Sequence, residues 1–302
     1  MEVLWVSEAR IQRERWSLIG KPFKEVVLEK LHGRGRQGGA KRKRFLLVTQ
    51  LLLLSVLVAS APPRGEAAPV PVRFTEGMVR GFLELKDAKG NRIASGDFLQ
   101  TSHGGEIKSR MALQFKDGSV HDETAVFTQQ HNFVLQGYRL IQKGPSFESD
   151  MEVSLERATG KYRVKVKEKG KDEKLLEGKL DLPMDVYNGM VPTVIKNLKK
   201  GATENLHVVA FTPAPRVIEL EMIASGEDKV LIGDRERSAS HYVLKPKLGI
   251  LKLPAMLLGR NPPDNHLWTI MEDVPAFVKF SGPLAAGGPI WRVELTSPRW
   301  PK

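Results

Sequence analysis

Five side chains that lie near one another in the sequence could bind a metal ion: His103, His121 and His131, with the carboxylates Asp122 and Glu123. Zinc sites gather nitrogen, sulfur or oxygen ligands into a tetrahedron and space them in close pairs along the chain, which these residues do not. Asp122 and Glu123 are adjacent on an alternating stretch, where successive side chains point to opposite faces, so a regular strand cannot aim both at one ion. The group reads as a polar cluster at a hairpin edge, and no metal is expected. Ser238, Ser240 and His241 could supply a nucleophile and its base. Acyl transfer places the serine on a tight glycine-flanked turn and its base within hydrogen-bond reach. Neither serine has a flanking glycine, and Ser240 and His241 face opposite ways in a strand. Glycoside hydrolysis needs two carboxylates across a cleft, and the 29 acidic residues beyond position 68 single out no pair. No catalytic residue and no cofactor is assigned.

The apolar residues are more informative. Val186, Met190, Val191, Val194, Ile195 and Leu198 recur at helical spacing, with Lys196, Lys199 and Lys200 near the end and Gly201 beyond it. This is the signature of one amphipathic helix with cations at its negative end. Gly189 and Pro192 fall inside the pattern, which predicts a kink or a break. Trp268, Trp291, Trp300, Phe277 and Phe280 concentrate aromatic area near the C-terminus, either as core of the last strands or as a wall for a bound chain. The residues expected to line a ligand site are Val186, Met190, Val194 and Leu198 from the helix, with Trp268 and Phe277.

Strands must position these residues. Alternating segments at 77–85, 92–102, 107–115, 120–130, 133–142, 147–155, 162–168 and 174–182 are separated by turn residues, as in an antiparallel meander with a spacing near ten residues. Asp117-Gly118 between two alternating runs is among the best local hairpin signals. Within the seventh segment Tyr162, Val164 and Val166 alternate with Arg163, Lys165 and Lys167, so the lysines belong to a wet face of the sheet. Strands resume at 206–211, 217–224, 229–232, 239–244, 267–272, 276–280 and 290–295. Residues 253–263 read as an ordered, apolar, Pro/Gly-rich loop. The expected fold is mainly β: a large curved antiparallel sheet or half-barrel with one helix packed on its concave face.

Charge separates the chain into regions. The net charge is +12, yet residues 1–44 carry twelve Lys or Arg against five Glu, and residues 69–302 carry only +5. That is an ordinary mixed surface without a basic stripe, so no nucleic-acid partner is expected. Lys41, Arg42, Lys43 and Arg44 immediately precede an apolar run of about 17 residues, 45–61. Such an order makes residues 41–68 a signal peptide or a membrane anchor, with the cations held on the cytoplasmic side. Pro62 and Pro69 follow the small-residue triplets that a signal peptidase would cut, which leaves cleavage and anchoring both open. Residues 1–40 read as a disordered extension, or as the product of a start site assigned too early, although no methionine lies between Met1 and Met78. Residues 69–302 read as the exported β-rich domain. The absence of cysteine excludes disulfides, thiolate metal sites and a lipid-modified cysteine.

The stretch from Arg110 through Gly118-Ser119, Asp122-Glu123-Thr124 and Gly144-Pro145-Ser146-Phe147, with the C-terminal Leu267-Trp268 and Val274 to Phe280, resembles uncharacterised exported bacterial proteins. It also resembles a wider set of periplasmic β-domains related in shape to lipoprotein carriers. That resemblance implies a curved sheet around an apolar concavity closed by helices, and it carries no functional residues over. The expectation is a noncatalytic domain, periplasmic or anchored in the inner membrane facing the periplasm through residues 45–61. Its expected partner is a lipid, a lipoprotein acyl chain or another apolar ligand. Two alternatives are a structural or assembly protein of the envelope, and a hydrolase acting on envelope polysaccharide or ester.

Overall fold

The computed structural model describes residues 68–232, 234–247, 263–271 and 275–296. The segments read as an extension and a membrane-directed run, the loop through residue 262 and Trp300 lie outside the described residues. Fourteen strands form one antiparallel sheet: β1 (Val79–Lys86), β2 (Arg92–His103), β3 (Glu106–Phe115), β4 (Val120–Gln129), β5 (Phe133–Lys143), β6 (Ser149–Glu156), β7 (Lys161–Glu168), β8 (Lys174–Lys179), β9 (Glu204–Ala210), β10 (Arg216–Ile232), β11 (Arg235–Lys247), β12 (Asn265–Ile270), β13 (Ala276–Gly282) and β14 (Trp291–Leu295). Strands β1 to β8 form one meander and β9 to β14 a second. They join where β1 pairs with β14, Leu83 opposite Leu295 and Leu85 opposite Val293. The sheet is open, and β8 and β9 are its two edges.

Turn chemistry sets the register. In the β1–β2 turn the Asp87 carboxylate accepts from the backbone N–H groups of Lys89 and Asn91, and Gly90 supplies the positive φ. Between β3 and β4, Asp117 accepts from the N–H of Ser119 and from the Ser146 hydroxyl, which ties this turn to the one before β6. The sequence predicts separate strands over 217–224 and 229–232. They are instead one strand, β10, with a register shift at Gly226. The glycine breaks the alternation without ending the strand.

The chain crosses from edge β8 to edge β9 through residues 180–203, which hold the one helix among the described residues, α1 (Val191–Asn197). It is much shorter than the stripe of apolar residues predicts. Gly189 adopts a φ of +68°, which a continuing helix does not allow, and Pro192 sits in the first helical turn, where its missing N–H is harmless. Pro192 therefore starts the helix rather than kinking it. Ahead of α1, Val186 bridges His207 in parallel, and Asn188 exchanges two hydrogen bonds with the Val209 backbone. These contacts cover part of the otherwise bare edge of β9.

An N-terminal arm fastens the other side. Val70 and Val72 pair with Phe133 and His131, the Val70 N–H donates to the Tyr187 hydroxyl, and Asn197 accepts from the N–H groups of Arg73 and Phe74. One core joins both halves of the sheet. It takes Ile107, Phe127, Leu135 and Val164 from the first meander, Met190, Val194 and Ile195 from the crossing, and Leu206, Met222 and Tyr242 from the second. Tyr138 of β5 stacks on Phe211, just past β9, at 5.8 Å between centroids. Strands so far apart in the sheet order meet only because the sheet curls around the helix.

Candidate functional site

A partly open cavity of about 300 Å³ lies inside the curl. Ten strands and α1 line it, the strands by alternate residues: Phe98 and Gln100 on β2, Ser109 and Met111 on β3, His121 and Glu123 on β4, Tyr138 and Leu140 on β5. Leu83, Leu220, Leu244, Leu267, Phe277, Phe280, Val293 and Leu295 supply much of the remaining apolar wall. An apolar concavity with a few converging polar groups is the general form of a small-molecule site.

The polar groups fall into three sets. Glu76, at 6% side-chain exposure, forms an ion pair with Lys196 of α1 at 2.7 Å and accepts from Gln100 at 2.9 Å. Both charges of this pair are thereby neutralised within the wall. Glu123 accepts from the Tyr138 hydroxyl at 2.8 Å. Glu123 is half-buried in the cavity wall, and that burial raises its pKa from the ordinary carboxylate value, with the tyrosine bond pulling the other way. Burial also holds the Tyr138 phenol well above its usual value.

The third set is His121. It is 3% exposed, and burial lowers its pKa to about 4, so the ring is neutral at pH 7. The Gln142 amide nitrogen lies 2.6 Å from the Leu284 carbonyl and 2.9 Å from His121 Nδ1. A carbonyl can only accept, so it fixes the amide orientation; Nδ1 then accepts in turn, and this network assigns the ring proton to Nε2. Nε2 has no hydrogen-bond partner, and neither does the buried Oδ1 of Asn265, which lines the same cavity.

The residues singled out from sequence distribute as follows. Val186, Met190, Val194 and Leu198 are buried in the core beside the cavity, and the crossing segment offers it Gly189, Val191, Pro192, Thr193 and Lys196 instead. Phe277 lines the cavity. Trp268 follows the cavity-lining Leu267 on β12 and joins a separate cluster with Val230, Ala239, Ile270 and Val278. There its ring stacks on His241 at 4.4 Å, carries the Lys279 ammonium at 3.9 Å and donates to Asp228. Trp291 packs on Phe115 and Phe147 in a second core.

The His103, His121 and His131 cluster does not assemble. His103 and His131 are exposed while His121 is buried, which corrects the reading of all three as a surface group. Glu123 faces inward, whereas Asp122 is held outside by a two-pronged bond to Arg110. Among the described residues no three His, Asp or Glu side chains are grouped so as to hold a metal ion. The serine and histidine reading does not assemble either. Ser238 donates to Glu227, and His241 is engaged by His266 and Trp268. Sequence reasoning passed over Glu76, Lys196, Tyr138 and Asn265. One signal was available for His121 and Glu123: they share the inward register of Ala125 and Phe127 on β4.

Among the described residues no helix is long and apolar enough to cross a membrane. No protein-family model matches this chain, and no curated protein matches it. Among solved structures it is similar to the crystal structure of the hypothetical lipoprotein YmcC from Escherichia coli (K12), at 11% identity and a TM-score of 0.33, over 89% of this chain and 100% of that one.

Proposed function

We propose that residues 69–302 form an exported domain of the cell envelope that binds an apolar or amphiphilic molecule, such as a lipid or a lipoprotein acyl chain, without transforming it. The observation that carries this reading is the apolar cavity inside the curled sheet, with its wall of Leu, Val and Phe side chains from both meanders. Burying a hydrocarbon chain there gains roughly 25 cal/mol for each Å² of apolar surface removed from water. Export rests on the four cations ahead of the apolar run 45–61.

A hydrolase would draw on Glu76 and Glu123, the two carboxylates of the cavity among the described residues. Glu76 is occupied by Lys196 and Gln100, which leaves Glu123 without a free carboxylate partner for acid–base work. An assembly role would draw on the edge strand β8, where Leu175 is exposed. Binding is tested by titrating the full chain with N-phenyl-1-naphthylamine, whose fluorescence rises in apolar surroundings. Saturable enhancement is expected in the native chain and its loss in Leu140→Trp, which fills the cavity. Equal enhancement in both, with the fold retained, overturns the reading.

A further inference from the structure

We infer that the cavity selects an amphiphile with a positively charged ammonium head, and that Glu123 is its counter-ion. This rests on the binding role proposed above and adds the charge of the ligand.

Strand register sets Glu123 in the middle of an apolar row. Phe98 of β2 stands opposite Met111 of β3, Met111 opposite Glu123 of β4, and Glu123 opposite Leu140 of β5. All four line the cavity. A chain lying across this row would touch hydrocarbon on both sides of a single carboxylate. The Tyr138 hydroxyl donates to Oε1 and fixes the group. Oε2 accepts no hydrogen bond, yet it is not sealed from solvent. Because Glu123 faces inward and is only half-buried, this oxygen opens to the cavity.

The charges of the wall do not cancel. Among the described residues three charged side chains line the cavity: Glu76, Lys196 and Glu123. Lys196 pairs with one oxygen of Glu76, whose other oxygen takes the Gln100 amide. His121 is neutral at pH 7. One negative charge is left over, and it belongs to Glu123. The raised pKa of this carboxyl has the same cause, since desolvation penalises a carboxylate with no cation beside it. An ammonium N–H on Oε2 makes a charge-assisted hydrogen bond, roughly twice as strong as a neutral one. A carboxylate or phosphate head would meet a like charge instead. The exterior cannot mimic this preference, because residues 69–302 carry a net +5 and repel cations at long range.

The test is competition against N-phenyl-1-naphthylamine on the full chain at pH 7.5, using decylamine, 1-decanol and decanoate, which share one chain length and differ in head charge. Decylamine, protonated at that pH as a lysine side chain is, is expected to displace the probe at a concentration about tenfold below 1-decanol. Decanoate is expected to be the weakest of the three. In Glu123→Gln, whose amide oxygen can still accept from Tyr138, the advantage of decylamine over decanol should vanish, with circular dichroism reporting the fold. Decanol or decanoate acting at or below the decylamine concentration in the native chain overturns the ammonium subsite while leaving apolar binding intact. So does an undiminished advantage in folded Glu123→Gln; where that variant does not fold, the native series decides by itself. Saturable probe binding that none of the three displaces overturns both readings.

Discussion

Acid should weaken this fold through one buried ring. His121 is 3% exposed and its pKa is lowered from 6.5 to about 4. As pH falls below 6.5, the unfolded chain takes up a proton that the folded ring refuses until about pH 4. The unfolded state therefore binds more protons across that window, and stability present above pH 6.5 is lost as pH falls through it. At pH 4.5 the loss is about 2.5 kcal/mol, from 1.36 kcal/mol per pH unit of separation. Glu123 acts in the opposite sense. Its raised pKa contributes stability at low pH that is lost as pH rises through the folded value. The comparison is therefore made between Glu123→Gln and the double variant His121→Gln/Glu123→Gln. Urea unfolding at pH 7.5 and 4.5, followed by tryptophan fluorescence, should show the first losing about 2.5 kcal/mol more than the second. Equal losses would refute a neutral buried His121 and, with it, the donor assigned to Nε2.

Lys196→Met should destabilise the domain by about 3 kcal/mol, because it strands the Glu76 carboxylate in the wall, and Glu76→Gln/Lys196→Met should recover most of that; urea unfolding of the four chains gives the coupling. Gly189→Ala should cost about 2 kcal/mol by thermal unfolding, since φ is +68° and the new methyl would lie 3.1 Å from the Ala125 Cβ. Gly118→Ala, at φ +85° with nothing within 4 Å, should cost about half as much.

Much of the sheet was readable from sequence because each hairpin announces itself twice, by alternation and by its turn. Asp117-Gly118 and the Asp87 to Asn91 loop do so with a side-chain acceptor and a positive-φ glycine. The helix was over-extended for a physical reason. Val186 and Leu198 are buried as a helical stripe would require, but burial on a parallel bridge or in an extended cap leaves the same apolar letters. The boundary lies instead in the backbone preferences of Gly189 and Pro192. The polar side of the cavity was hidden because its members come from distant segments: Glu76 ahead of β1, His121 on β4, Lys196 on α1 and Asn265 on β12. Only the closure of two meanders around the crossing brings them to one surface. Charge on a strand is commonly read as solvated, and on β4 that holds for Asp122 and fails for Glu123, one residue further on.

The central claim is that the cavity is a binding site, and native mass spectrometry of the full chain isolated gently from the cells that make it tests this most directly. A discrete adduct of one or a few related masses, absent from Leu140→Trp, is expected. A chain that arrives only at its bare mass, and gains none on incubation with 1-decanol, would contradict it.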